Sequence, residues 1–261
     1  MQLRTHVPKE LLTPEDRKLF DKAVIELQVR TWFSAIKTTS GLSTNEIARL
    51  FPSTPRKERG VEEAESGYLP SESGYWEQVR RGKHLPLRRK HGRELVESVE
   101  RRFAGTQRWI VSGLWKLLST CQIDLAEIYV LLGDLHPSIR DKILIRPETE
   151  SSFIRVPSFP KDMYRKIDIA ARPCSTGDSG NSFERIMGGA IAALALIRES
   201  EYLQNQQQHV LGRKAFTKIV ERFAYFQESQ SLAFELQRLG KARFGGTIYS
   251  PDGVSALTLN F

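Results

Sequence analysis

The sequence predicts a mainly α-helical protein that ends in a β-hairpin. Apolar residues recur at helical spacing over long stretches, and residues typical of helix N-termini precede those stretches. The strand-like runs lie at the C-terminus, where 247–249 and 254–259 flank a Ser-Pro-Asp-Gly turn. The composition is typical of a folded globular chain, with 40% hydrophobic and 27% charged residues.

The first two helices are predicted from caps and periodicity. Thr13, followed by a proline and two carboxylates, is typical of a helix N-terminus, and apolar residues keep helical spacing to about residue 38. Ser43 and Glu46 have the spacing of a capping box, in which each side chain bonds the other residue's backbone amide. A short helix should follow. The proline- and glycine-rich residues 52–70 should then form a long loop.

The next segment predicts two helices and a closing element. A helix over about 71–81 should bury Trp76 and end at Gly82, since glycine adopts the left-handed conformation that follows many helices. A second helix over about 88–103 should come next. Residues 105–118 should complete this part of the chain with an aromatic element.

The predicted domains are 1–146 and 161–261, joined by a linker over 147–160 in a proline-rich stretch. The small residues of MGGAIAALALI, 187–197, should let another helix approach closely, most simply in the core of the second domain. The alternative is a dimer interface. The second domain should carry helices at about 161–171, 182–203, 206–227 and 229–240 before the hairpin.

One segment concentrates positive charge. From Arg80 to Arg93, here called the basic segment, seven cations occur without a carboxylate. A solvated face usually mixes both signs, whereas bound phosphates explain the omission, because each Lys or Arg placed near phosphate releases a counterion. The segment therefore predicts nucleic-acid contact. The candidate binding residues are Tyr75, Gln78, Arg80, Arg81, Lys83, Arg88, Arg89, Lys90 and Arg93.

Aromatic residues near this segment have two interpretations. Trp76, Trp109 and Trp115 lie at helical spacing among apolar neighbours, which favours core packing over stacking on unpaired bases. Tyr75, adjacent to the basic segment, is the better candidate for stacking.

Two stretches, 36–51 and 73–103, resemble the helix-turn-helix of the lambda-repressor-like (XRE/Cro) family. In that family a Gly-Leu-Ser-type turn precedes the first motif helix, and the recognition helix ends in an R-x-G-K-x-x-P stretch. One departure is the connection between the motif helices, which is about nineteen residues instead of a tight turn. The matching residues here are Gly41, Leu42, Ser43, Arg80, Gly82, Lys83 and Pro86.

The resemblance implies that the helix over 71–81 enters the major groove of duplex DNA. It further implies a bacterial, phage or mobile-element transcriptional regulator, with C-terminal helices that could form a homodimer or bind a protein partner. The phosphate-anchoring residues would be Lys83, Arg88, Arg89, Lys90 and Arg93. The candidates for reading base edges are Ser71, Glu72, Tyr75, Gln78 and Arg80.

Other classes fit poorly. No apolar stretch reaches the ~20 residues of a membrane span, and the first residues lack the apolar core of a secretory signal. Cys121 and Cys174 cannot supply a disulfide framework or a zinc site alone. The stretch TGDSGNSF, 176–183, resembles the serine environment of chymotrypsin-like proteases, but no histidine has a matching context. We expect a cytoplasmic, non-enzymatic protein without cofactor or metal.

The alternative class is a non-enzymatic subunit of a larger nucleoprotein assembly, such as a defence or transposition complex. There the same cations would grip nucleic acid without a preferred sequence. Salt dependence combined with sequence preference distinguishes the two classes.

Overall fold

The computed structural model describes residues 13–52, 70–88, 90–145, 154–156, 160–173, 179–225 and 230–245. It is mainly helical, as predicted. The predicted C-terminal hairpin lies outside the described residues. In chain order the helices are α1 Pro14–Ser40, α2 Thr44–Leu50, α3 Pro70–Arg80, α4 Lys90–Arg102, α5 Arg108–Val111, α6 Gly113–Leu118, α7 Leu125–Gly133, α8 Pro137–Arg140, α9 Pro160–Ala170, α10 Ser179–Tyr202, α11 Gln206–Val220 and α12 Gln230–Phe244.

Short elements supplement these helices. Single 3-10 turns cover Pro86–Arg88 and Glu221–Tyr225. Two strands, β1 Leu144–Ile145 and β2 Ile154–Arg155, pair antiparallel. β2 lies in the predicted linker over 147–160, and β1 lies just before it. The second 3-10 turn ends α11 earlier than the predicted helix over 206–227.

The chain divides into two compact units. The N-terminal unit comprises residues 22–115, and the C-terminal unit comprises 116–261 together with 1–21. The sequence-based boundary at residue 146 lies further along the chain. The difference arises because α7 and α8, in the stretch assigned to the first domain, pack against α10.

Caps begin two helices as predicted. The Ser43 hydroxyl accepts the Glu46 amide at 3.3 Å, and the Ser43 amide donates to the Glu46 carboxylate at 2.7 Å, so the capping box is confirmed. At α1 the Thr13 hydroxyl accepts the Asp16 amide at 3.1 Å. Each bond satisfies a backbone group that the helix itself leaves without a partner.

Aromatic rings form the centre of the N-terminal unit's core. Trp76 is fully buried, and its ring centroid lies 5.9 Å from that of Trp32, 6.2 Å from Phe33 and 6.4 Å from Phe51. Tilted arrangements at these distances are favourable for aromatic pairs. The predicted core role of Trp76 is therefore confirmed.

Helix α10 is the centre of the C-terminal unit. Every residue over 186–200 is buried, and α10 packs against α7, α9 and α11. A Cβ at Gly189 would collide with the Ala171 methyl group, so the predicted close approach of another helix is confirmed. This burial assigns the small residues of 187–197 to the core of the unit.

None of the described helices is both long enough and apolar enough to cross a membrane.

Candidate nucleic-acid interface

Helix α3 has one buried and one exposed face. Trp76 and Val79 are buried, and the Trp76 indole N–H donates to the Phe51 carbonyl at 2.8 Å, which ties α3 to the end of α2. Gly74 and Gln78, one helical turn apart, are exposed. The core contacts fix α3 while its outer surface remains open to a ligand.

Gly82 ends α3 as predicted. The Lys83 amide donates to the Gln78 carbonyl at 2.8 Å, and the Gly82 amide donates to the Val79 carbonyl at 2.9 Å, the pattern of a Schellman motif. Gly82 has φ +75°, and an added Cβ would lie 2.5 Å from the Glu26 carbonyl oxygen. Both the left-handed backbone and the close approach to α1 require glycine here.

The rest of the basic segment is held by its backbone and its apolar residues. Leu85 and Leu87 pack against the core, and the 3-10 turn Pro86–Arg88 packs on α4. The turn lies so close that a Cβ at Gly92 would collide with the Pro86 carbonyl. The backbone of the turn Pro86–Arg88 is therefore fixed against α4.

Two of the cations share one carboxylate. Arg80 donates from Nε and from a terminal nitrogen to both oxygens of Glu77, at 2.6 and 2.5 Å. Arg81 donates from Nε to one of those oxygens at 2.8 Å. The hydrogen bonds from Arg80 lower the pKa of Glu77 to about 2, with burial opposing this shift and the hydrogen bond from Arg81 adding to it. Glu77 is therefore ionised at neutral pH, and the trio keeps one net positive charge.

Other predicted residues on this surface are exposed. Gln78 and Lys83 are exposed, and the Lys83 ammonium has no ion pair with a side chain that the structure describes. Arg93 is exposed as well, and its Nε donates to the Leu87 carbonyl at 3.3 Å. These three residues present polar or cationic groups to solvent.

Glu100 is a nearby carboxylate that is already engaged. It accepts the backbone amides of Gly105 and Gln107, both at 2.6 Å, and the Thr106 hydroxyl at 3.2 Å. Burial opposes ionisation of this carboxyl, but the donated hydrogen bonds outweigh it and lower the pKa of Glu100. Its charge stabilises the loop after α4.

Tyr75 is turned toward its own unit. Its ring makes edge contacts with Trp76 at 5.8 Å and with His84 at 4.7 Å between centroids. Burial raises the pKa of Tyr75 to about 12. These contacts favour a packing role over the predicted role of stacking on a base.

The structure thus brings part of the predicted set together on α3 and the turn after it. Sequence reasoning missed the role of Glu77, although its spacing of three and four residues from Arg80 and Arg81 is typical of helical ion pairs. The predicted side chains that lie outside the described part of the structure are those of Ser71, Glu72, Arg88, Arg89 and Lys90.

Among the residues that the structure describes, no group of three or more His, Cys, Asp or Glu side chains could hold a metal ion. Of the protease-like stretch TGDSGNSF, the structure describes the backbone from Ser179 onward, which forms the first turn of α10. The side chain of Ser179 lies outside the description.

Comparison with protein-family models, with curated proteins and with solved structures finds no match to this chain. The functional assignment therefore depends on the geometry and charge of the N-terminal unit.

Proposed function

We propose that the N-terminal unit binds duplex DNA, with α3 as the helix that reads base edges and the basic segment as its phosphate anchor. One observation carries the proposal: buried Trp76 and Val79 fix α3, while its outer face and the following turn expose cations that outnumber their carboxylate partners. As a whole protein, the chain would be a transcriptional regulator of the helix-turn-helix type.

The residue types on α3 suit base recognition. Arginine can bond guanine with two parallel hydrogen bonds, and glutamine can do the same with adenine in the major groove. Gln78 is exposed, and Arg80 is about half exposed, with 49% of its side chain accessible. We assign sequence preference to these two residues.

The residues after α3 suit phosphate contact. Lys83 follows Gly82, the glycine that ends α3, and Arg93 is the fourth residue of α4. The first turn of α4 contains no acidic residue, although the positive end of the helix dipole would favour one. A phosphate near this helix start would meet free backbone amides together with the cations of the basic segment.

A mobility-shift assay across salt concentrations tests the proposal. With four to six phosphate contacts, the logarithm of the association constant should fall against the logarithm of salt with a slope of about −4 to −5. A random-sequence competitor should displace the protein from a preferred duplex only at large excess.

Two variants separate anchoring from reading. Arg88→Ala with Arg89→Ala should weaken binding to every duplex and reduce the salt slope by about 2, because two phosphate contacts are lost. Gln78→Ala should change the preferred sequence more than the affinity. Lys161→Ala with Lys166→Ala removes two exposed lysines of α9 in the C-terminal unit and serves as the charge-matched control.

The outcomes decide between the two classes. Steep salt dependence without sequence preference would favour a subunit of a nucleoprotein assembly over a regulator. If the arginine pair and the control pair weaken DNA binding equally, the basic segment is excluded as the phosphate anchor.

A further inference from the structure

Glu77 occupies an unusual position on the proposed recognition helix. It is the last carboxylate before the basic segment, and its two oxygens accept three hydrogen bonds from Arg80 and Arg81. Its own side chain is about one third exposed, so the trio lies on the open face of α3.

Stability of the fold is a weak reason for this arrangement. Exposed ion pairs within one helix contribute little to stability, and the side chains of Arg80 and Arg81 are 49% and 58% exposed. The core contacts of Trp76 and Val79 hold α3 without them. The trio therefore calls for an explanation in binding.

The arrangement changes what a ligand gains from the arginines. Glu77 partly neutralises both arginines and occupies Nε of each together with one terminal nitrogen of Arg80, so a phosphate that approaches them gains less electrostatic energy. Glu77 also repels any phosphate that comes close. A guanine edge differs, because its two acceptors match the fork of an arginine and carry no full negative charge.

If the unit binds DNA as proposed, Glu77 has a further role. We propose that Glu77 is a specificity-determining residue that suppresses binding to wrong sequences by holding Arg80 and Arg81. Discrimination would then come from a repulsive group as much as from attractive contacts. Glu77 acts through the arginines, so it is a positioning residue for base readout.

The test uses Glu77→Gln in the full chain with two probes. One probe is a pool of duplexes with random sequence, and the other is the tightest duplex that the parent protein selects from that pool. The variant should bind the random pool roughly tenfold tighter, with a salt slope steeper by about 1 to 2, because one or two arginines become free for phosphate. The ratio of selected to random affinity should fall about tenfold.

Glu97→Gln is the matched control. Glu97 is an exposed carboxylate of α4 without an ion pair to a described side chain, so its replacement adds the same charge elsewhere on the unit. This variant should tighten both probes equally and keep their ratio. Arg80→Lys keeps the charge but loses the fork, so it should keep random-pool affinity and lose the ratio.

The results separate this inference from the proposed function. If the parent binds the selected duplex preferentially and Glu77→Gln keeps that ratio, Glu77 does not set specificity and the proposed function stands. If Arg80→Lys also keeps the ratio, base readout by Arg80 is excluded. If the parent binds neither probe at low salt, the proposed function fails, and this inference fails with it.

Discussion

A carboxylate of the C-terminal unit and the cations of the N-terminal unit differ in their exposure to solvent. In the C-terminal unit, the side chain of Glu199 is 2% exposed and accepts hydrogen bonds from Arg155, Tyr129 and Gln208 at 2.7 to 3.0 Å. In the N-terminal unit, the cations of α3 and the following turn remain exposed. Glu199 is thus enclosed with its partners, whereas Arg80, Arg81 and Lys83 are presented to solvent.

A second buried carboxylate repeats the enclosed pattern. Asp168 pairs with Arg222 at 2.5 Å and with Lys218 at 3.0 Å, and the Arg222 guanidinium also donates to the Asp168 carbonyl. A buried charge requires such partners, because removal from water is costly unless hydrogen bonds replace the lost hydration. The comparison indicates that a ligand surface is identified by charged side chains that stay exposed with few partners, more than by the presence of charge.

The largest expected effect is on the enclosed network. Glu199→Ala should lower the free energy of unfolding by about 3–5 kcal/mol, because the partly buried Arg155 and the buried Gln208 would lose their shared acceptor. Urea denaturation followed by circular dichroism measures this. Tryptophan fluorescence follows the N-terminal unit specifically, since all four tryptophans lie within 22–115.

Asp162→Ala is the control for this prediction. It removes an exposed pair with Arg165, 3.8 Å long on α9, and should cost less than about 1 kcal/mol. Equal effects of the two variants would show that burial does not distinguish the charged groups of the C-terminal unit.

The next effect concerns how the basic segment is attached. The backbone at Gly82 holds the start of the basic segment against α1. Gly82→Ala should destabilise the protein by about 3 kcal/mol, because alanine would strain the left-handed backbone and its Cβ would collide with Glu26. Tryptophan fluorescence during urea denaturation provides the measurement.

Gly41→Ala separates the two causes. Gly41 has φ +68°, but an added Cβ would meet no atom of the described residues within 4 Å. This variant should therefore cost only about 1–2 kcal/mol. A Gly82 variant that is no worse than the Gly41 variant would contradict the close contact with α1.

The smallest effect concerns the carboxylate that the N-terminal unit uses internally. Glu100→Gln should cost about 1–2 kcal/mol at pH 7, because an amide cannot accept all the hydrogen bonds of the carboxylate. The folded pKa of Glu100 lies below its ordinary value of 4.5. Its contribution is therefore present above pH 4.5 and lost as the pH falls through the lower, folded pKa.

Urea midpoints of both proteins between pH 7 and pH 3 test this dependence. The difference between the parent and Glu100→Gln should shrink below about pH 4.5. Glu97→Gln, on the exposed face of the same helix, should leave the stability nearly unchanged. A gap between parent and Glu100→Gln that stays constant with pH would contradict the role of an ionised Glu100.

Local signals were sufficient to predict much of the fold. The capping box at Ser43, the glycine stop at Gly82 and the burial of Trp76 each depend on residues close in sequence. Helices α7 and α8 were not predicted, although the Asp124 side chain that caps α7 is a local signal. The network around Glu199 could not be predicted, since its partners Arg155 and Tyr129 lie 44 and 70 positions away.

The candidate site was predicted less completely. Charge patterning located the basic segment, and helical periodicity placed Gln78 and Arg80 on the same helix as buried Trp76. The pattern did not show that Tyr75 packs against His84, because side-chain direction depends on the path of the chain after Gly82. Which cations remain unpaired is a property of the folded surface.

The indole bond from Trp76 to the Phe51 carbonyl has a consequence for chain design. It ties α3 directly to the end of α2, so the residues between the two helices need not set the position of α3. Loop-closure entropy changes by only about 0.6 kcal/mol for each doubling of loop length. Insertions or deletions in that stretch should therefore be well tolerated, and a helix pair of this kind can accept an unusually long connection without losing its geometry.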